Sequence, residues 1–217
     1  LVKSSAASDV YKRQVQYVHS PLFKVWGVGI KMNDEPTEWF GAEECADAIA
    51  QIQWAEAAVV CHNTLFDAYI LTQYYKVYPK YYYDTAAMAR GLAPNESSSL
   101  KNTCERMFPN DKTMRKGDEL VNAKGIFDLP PDIEEQIASY CIQDVDLTYA
   151  LYNVMQPNYP QSELDLIDLT CRMYVEPKLF LNRTLLQAHK DDIVANTAQL
   201  IHCLLYTSPS PRDTIRS

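Results

Sequence analysis

With 217 residues the chain has room for one large domain or a domain with an appendage, which excludes both a peptide and a multidomain machine. Hydrophobic residues make up 47% and charged residues 22%, the balance of an ordinary globular chain, so neither global disorder nor a fibrous repeat fits. A formal charge of −8 removes the broad basic footprint of a protein that coats nucleic acid, yet permits a site-specific nucleic-acid enzyme whose carboxylates hold metal ions.

No apolar run reaches the length of a bilayer span, so no membrane partner is expected. The cysteines, Cys45, Cys61, Cys104, Cys141, Cys171 and Cys203, are scattered without a C-x-x-C pair, which points to free thiols in a reducing compartment. Residues 1–14, LVKSSAASDVYKRQ, and 203–217, CLLYTSPSPRDTIRS, resemble translated sequencing-adapter read-through. Both ends are set aside from the fold reasoning, with a natural disordered N-terminus and a Ser/Pro tail as the alternative.

In chain order, the β-branched and aromatic residues of 22–31 predict a strand, the turn Asn33-Asp34-Glu35-Pro36 follows, and 37–40 returns as the second arm of a hairpin. Ala46, Ile49, Ala50 and Trp54 recur near helical spacing, which predicts a helix over 42–54, and 57–61 is a short apolar run suited to a buried strand. A helix is expected from Thr64 to about Tyr75, a tyrosine-rich piece at 81–83 leads into Asp84, and another helix runs to Gly91. After the loop 94–99 come a helix over 100–108 and a polar, partly basic loop over 109–118. Pro130-Pro131 opens a long helix through Met155, which Pro157 and Pro160 end. Two further helices, 162–175 and 183–202, are joined by an extended segment. A helix followed by a strand suggests an α/β layer fold, and the two prolines place a domain boundary near 156–161, giving one domain over 15–157 and a helical extension over 158–202.

Asn63 and Asp67 fall at the carboxyl end of a predicted strand and in the first turn of the next helix, where open α/β sheets put ligands. Asn63 suits an N-cap, but a capping box needs Glu or Gln where Phe66 stands, so that pattern leaves Asp67 unexplained; its favourable place on the helix dipole is the alternative. Tyr140 and Asp144 lie four apart on one face of the long helix, in a stripe with Ile137, Cys141, Thr148 and Leu151. A carboxylate on an apolar stripe needs a basic partner or a cation.

Taken together, HNTLFDAYIL (62–71) and YCIQD (140–144) resemble the second and third motifs of the 3′-5′ exonuclease domain of family A DNA polymerases. YYYDTAAMARGL, SSSLKNTCERMF and KGDELVNAKGIF resemble the bacteriophage-type branch, and SELDLIDLTCRMYVEPKLFLNRTLL resembles the segment leading toward the polymerase thumb. The resemblance implies an RNase H-like α/β fold of the DEDDy type, with a mixed central sheet flanked by helices and a C-terminal helical extension. It implies two Mg²⁺ or Mn²⁺ ions that together activate water, stabilise the leaving oxygen and neutralise charge. Asp67 and Asp144 would hold the metals and Tyr140 would orient the attacking water, while Asn63 and Phe66 would meet the terminal nucleotide.

The implied partners are the 3′ end of single-stranded DNA and a polymerase domain of the same parent chain, in the cytoplasm, the host's if the source is viral. His62 reads as structural or phosphate-facing, and Lys112, Arg115 and Lys116 as phosphate contacts or as a solvated loop face. The family's first motif, D-x-E on the first strand, has no counterpart: before Thr37 only Asp9, Asp34 and Glu35 are acidic, and the last two are adjacent in a turn. The expectation is a domain without its first strand and inactive as it stands. A stand-alone RNA exonuclease and a catalytically silent nucleic-acid-binding module are the alternatives.

Overall fold

In the computed structural model the described residues are 15–116 and 130–207. The expected foreign segment 1–14 and most of 203–217 lie outside them, as does nearly all of the KGDELVNAKGIF piece. The chain divides into two compact units between Glu176 and Pro177.

The first unit is mixed α/β. After a helical turn at 15–18, β1 (Gly27–Ile30) pairs antiparallel with β2 (Glu38–Gly41), Val28 opposite Phe40 and Ile30 opposite Glu38. Asn33 takes a positive φ of 51° in the connecting turn, a conformation asparagine tolerates. Helix α1 (Cys45–Ala50) is shorter than the periodicity predicts. The chain turns after Gln51, and Trp54 continues the apolar pattern by folding back, its Nε1 donating to the Ile49 carbonyl at 2.8 Å. Strand β3 (Ala58–Cys61) leads into α2 (Thr64–Gln73), and β4 (Tyr81–Asp84) returns parallel to β3, with Cys61 level with Asp84. Helices α3 (Thr85–Leu92), α4 (Leu100–Met107) and the long α5 (Pro131–Met155) follow. A 3₁₀ turn over Gln156–Asn158 precedes α6 (Gln161–Val175). Pro131 stands at the first helical position of α5, where its missing N–H costs nothing.

The single central sheet that the sequence led us to expect is not formed among the described residues. They make two sheets of two strands each, β1-β2 and β3-β4, with no hydrogen-bonded ladder joining β1 to β3. Both sheets pack on α5. The approach is tight at Gly29, where an added Cβ would come within 3.0 Å of Cys141 Sγ and 3.2 Å of Val145 Cγ2.

Three apolar clusters hold the layers. Met88, Leu100, Cys104, Leu147, Leu151, Met155 and Leu164 join α3, α4, α5 and α6. Ala68, Tyr69, Ile70, Tyr82, Cys171 and Val175 join α2, β4 and α6, with Val18 beside them. Val28, Cys45, Ile49 and Leu71 join β1, α1 and α2. The hairpin turn is fastened to α5 by polar groups: Lys31 pairs with Asp146 at 3.2 Å, the Thr37 hydroxyl donates to the same carboxylate at 2.5 Å, and the Tyr149 hydroxyl donates to Asp34 at 2.8 Å.

Helix α6 closes the outer edge of β4. Asp168 accepts the Tyr82 backbone N–H at 2.8 Å, the Tyr82 hydroxyl donates to Glu176 at 2.9 Å, and Arg172 bridges both carboxylates across the Tyr82 ring. A sheet edge covered in this way has no free donor row. The compact unit therefore runs on to Glu176, past the prolines where the sequence places a boundary.

The second unit is described from Pro177 to α7 (Arg183–Thr207), so the helix passes residue 202, where the foreign tail was expected to begin. Leu179 and Phe180 are each 94% exposed, and Leu185, Ile193, Val194, Leu200, Ile201 and Leu204 of α7 are also exposed.

Candidate active site

The site grows from the carboxyl ends of β3 and β4. Parallel strands that end side by side hand the chain to α2 and α3 at one edge of the sheet, which is where ligands meet open α/β layers. Asp84, only 3% exposed, organises this corner: its carboxylate caps α3 through the N–H groups of Ala86 and Ala87 and also accepts the Asn63 N–H at 2.9 Å. Thr64 and Thr85 both donate to the Cys61 carbonyl, and Thr64 also donates to that of Tyr83. Sequence reasoning gave Asp84 no role, although an aspartate directly before a helix is itself a capping signal.

Asn63 adopts left-handed backbone, φ 71° and ψ 57°, directly before α2, and its side chain makes no capping bond. It borders a cavity instead. Of the residues singled out in the sequence, His62, Asn63, Phe66, Asp67 and Asp144 line one cavity of about 1260 Å³ that also touches β1 and β3. Asp67 comes from α2 and Asp144 from α5, so the two carboxylates reach it from separate elements. The Cys61 thiol hydrogen-bonds the Asp67 carboxylate; burial pushes this thiol well above its ordinary value and the Asp67 charge pushes it further, so it stays a donor.

Tyr140, one turn before Asp144, does not line the cavity. It joins Asp144 through Lys116, whose Nζ holds both carboxylate oxygens, 2.6 Å from Oδ1, and lies 4.6 Å above the Tyr140 ring. The pair is largely shielded, with Lys116 9% and Asp144 20% exposed at the side chain. The preceding loop is pinned to α5 as well: Gln143 donates to the Arg115 carbonyl at 3.0 Å, and the Arg115 guanidinium donates to the Pro109 carbonyl at 2.9 Å. Arg115 and Lys116 are thus engaged within the fold, whereas Lys112 is exposed. His62 is spanned by the Thr85 hydroxyl and the Ser98 carbonyl, each at 2.9 Å. Because a carbonyl only accepts, Nε2 carries a proton toward Ser98, and the ring ties β3 to the loop before α4. Asp146, on the other side of α5, serves the hairpin as described above.

Among the described residues no three His, Cys, Asp or Glu side chains gather as a group able to hold a metal ion. The donor set does not fit a pair of dications: two carboxylates leave most of the mutual repulsion uncompensated, and Lys116 sits on one of them.

The geometry defines an α/β protein with an acidic cavity at the carboxyl edge of a parallel strand pair. A family model described as 3′-5′ exonuclease, DNA_pol_A_exo1, matches residues 46–159, just over half of the chain. The chain belongs to that 3′-5′ exonuclease family, whose members generally use divalent metals. Neither the curated proteins nor the solved structures contain a match. The matched stretch holds Asp67, Tyr140 and Asp144, and it ends close to the prolines after α5. No helix among the described residues is long and apolar enough to cross a membrane.

Proposed function

We propose that this chain is the proofreading 3′-5′ exonuclease domain of a bacteriophage-type DNA polymerase, of RNase H-like fold, and that its substrate is the 3′ end of single-stranded DNA. The carrying observation is that Asp67 and Asp144, from two separate helices within the family-matched stretch, border one cavity together with Asn63 and Phe66. In this reading Asp67 and Asp144 would be two of the carboxylates around Mg²⁺ or Mn²⁺ once D-x-E supplies the others, and the metal would supply charge for activating water. Tyr140, which stands outside the cavity lining beside Asp144, would orient that water, and Asn63 and Phe66 would receive the terminal nucleotide. Lys116 holds Asp144 and stacks on Tyr140, and this reading sets His62, Arg115 and Lys116 along the path of the backbone phosphates. The reaction belongs to the cytoplasm, the host's if the source is viral.

Two carboxylates are too few for the metal-dependent chemistry of the family, and D-x-E on an added first strand is the complement the resemblance calls for. The described residues alone are therefore expected to release no nucleotide. The exposed apolar side chains between Leu179 and Leu204 support a polymerase domain as the covalent partner, since such a stretch is the kind of surface that packs against further polypeptide.

The test compares the present chain with a chain extended by a strand bearing D-x-E, on a 3′-labelled oligonucleotide with Mg²⁺ or EDTA. Release confined to the extended chain with Mg²⁺, and abolished by Asp144→Ala, is the expected result. Robust release by the present chain would overturn the proposed inactivity. A folded but inert extended chain would favour a silent nucleic-acid-binding module, and preference for an RNA 3′ end would favour an RNA exonuclease.

A further inference from the structure

Asp67 and Asp144 border one cavity but are held by different kinds of partner. Asp67 accepts from the Cys61 thiol, a donor that brings no charge. Asp144 accepts from the Lys116 ammonium, which lies 2.6 Å from Oδ1 and bonds Oδ2 as well, so one positive charge engages both oxygens. The same ammonium stands 4.6 Å from the centre of the Tyr140 ring, and only 9% of the Lys116 side chain is exposed. A single cation of the chain's own thus covers both Tyr140 and Asp144, the pair that α5 contributes.

We infer that Lys116 is an internal plug: its ammonium holds the cation place of Asp144, and a divalent cation enters there only by displacing it. The inference rests on reading Asp144 as a metal-binding carboxylate, and it makes the poor fit of this donor set to metal a property of the chain, which keeps the site closed by itself. Charge explains the closure. Asp144 is 20% exposed at the side chain and stands in a helix stripe with the buried Cys141, Thr148 and Leu151, where a carboxylate without a counter-charge is costly. Lys116 supplies that counter-charge and lets the unit fold without metal. Charge also makes the two occupants exclusive. Mg²⁺ takes its oxygen ligands at about 2.1 Å in a near-octahedral array. An ammonium already bonded to both oxygens repels a dication at such range.

Lysine suits a removable stopper. Its four-carbon stem is flexible and its charge is a point, without the fork by which arginine grips a carboxylate. The backbone leading to it is fixed instead. Gln143 donates to the Arg115 carbonyl at 3.0 Å, the Arg115 guanidinium donates to the Pro109 carbonyl at 2.9 Å, and the Asp111 carboxylate accepts the Thr113 N–H at 2.9 Å. Displacement is therefore the swing of one side chain, with the residues before it left in place.

The test uses the chain as it is and Mn²⁺ alone. Electron paramagnetic resonance reads free Mn²⁺, and mass spectrometry reads acetylation of lysines by a succinimidyl ester, with the exposed Lys112 as reference. Excess Mn²⁺, compared with EDTA, should raise acetylation of Lys116 about tenfold relative to Lys112. Lys116→Met and Lys116→Gln, each checked for folding by circular dichroism, should bind Mn²⁺ about tenfold more tightly than the parent, whereas Lys116→Arg, which keeps the charge, should show no gain. Adding Asp144→Asn to Lys116→Met should cancel the gain. Equal or weaker binding by both neutral variants, a gain that survives Asp144→Asn, or acetylation of Lys116 unmoved by Mn²⁺ would overturn the plug. Absence of Mn²⁺ binding by every one of these proteins overturns it too, and the nuclease reading is then decided by the strand-extended chain alone. A gain that depends on Asp144, beside an extended chain that folds but stays inert, upholds the plug and removes the nuclease.

Discussion

Lys116 does for Asp144 what a bound cation would do: it neutralises the carboxylate and stacks on the tyrosine one turn away. Removing either partner leaves a shielded charge behind, which costs more than the pair itself contributes. Lys116→Met and Asp144→Asn are each expected to lower stability by about 1–3 kcal/mol, while the double variant loses less than the two together, a coupling of about 1 kcal/mol or more in urea melts. Additive losses would show that the contact carries no energy. Asp84 is the more critical side chain, because one carboxylate caps α3 and fixes Asn63 in its left-handed turn. Asp84→Ala removes a cap and orphans buried N–H groups, an expected loss of about 2–4 kcal/mol in the same melts. Asp84→Asn keeps an acceptor and should recover part of it.

At the scale of elements, the buried thiols make helix packing sensitive to alkali. Burial, and then the charge of Asp144, lifts Cys104 from the ordinary value near 9 to about 11; burial, then Asp84, lifts Cys171 to about 12. A folded-state value above the unfolded one means that the stabilisation is complete below pH 9 and disappears as pH rises through the folded values. Melting temperature should hold between pH 7 and 8.5 and fall steeply by pH 10.5, with Cys104→Ala flattening that fall by about 2 kcal/mol. A slope unchanged in the variant would place the alkaline transition elsewhere.

Most elements were legible in the sequence because their signals are local: Pro131 opens α5, prolines 157 and 160 end it, and the apolar run before His62 makes β3. Asp67 and Asp144, which motif context singles out, border one cavity. What stayed hidden depends on distant contacts. Trp54 extends a helical period yet belongs to a turn, since its indole reaches back to Ile49. That β1 and β3 share no ladder among the described residues leaves no trace in four-residue strands, and Lys116 looked like any lysine of a polar loop until α5 supplied its partner.

The whole molecule combines a packed first unit with a second unit whose apolar side chains stand open. Ending the chain at Glu176 removes Leu179, Phe180 and the exposed face of α7, so binding of a hydrophobic dye should drop severalfold while the near-ultraviolet circular dichroism of the first unit persists. Loss of that aromatic signal would show that the two units fold as one.

The seal that α6 forms on β4 bears on how such a module can be inherited. Genes are shuffled most safely at joints where no packing crosses, and the prolines before α6 look like a joint on the page. Yet Cys171 and Val175 complete one core cluster, Leu164 another, and Asp168 satisfies the backbone of Tyr82. A lineage that recombined at residue 157 would inherit a sheet open along its outer side and two half-filled cores. The transmissible block is the longer one that carries α6, even though the family's shared signature fades before that helix begins.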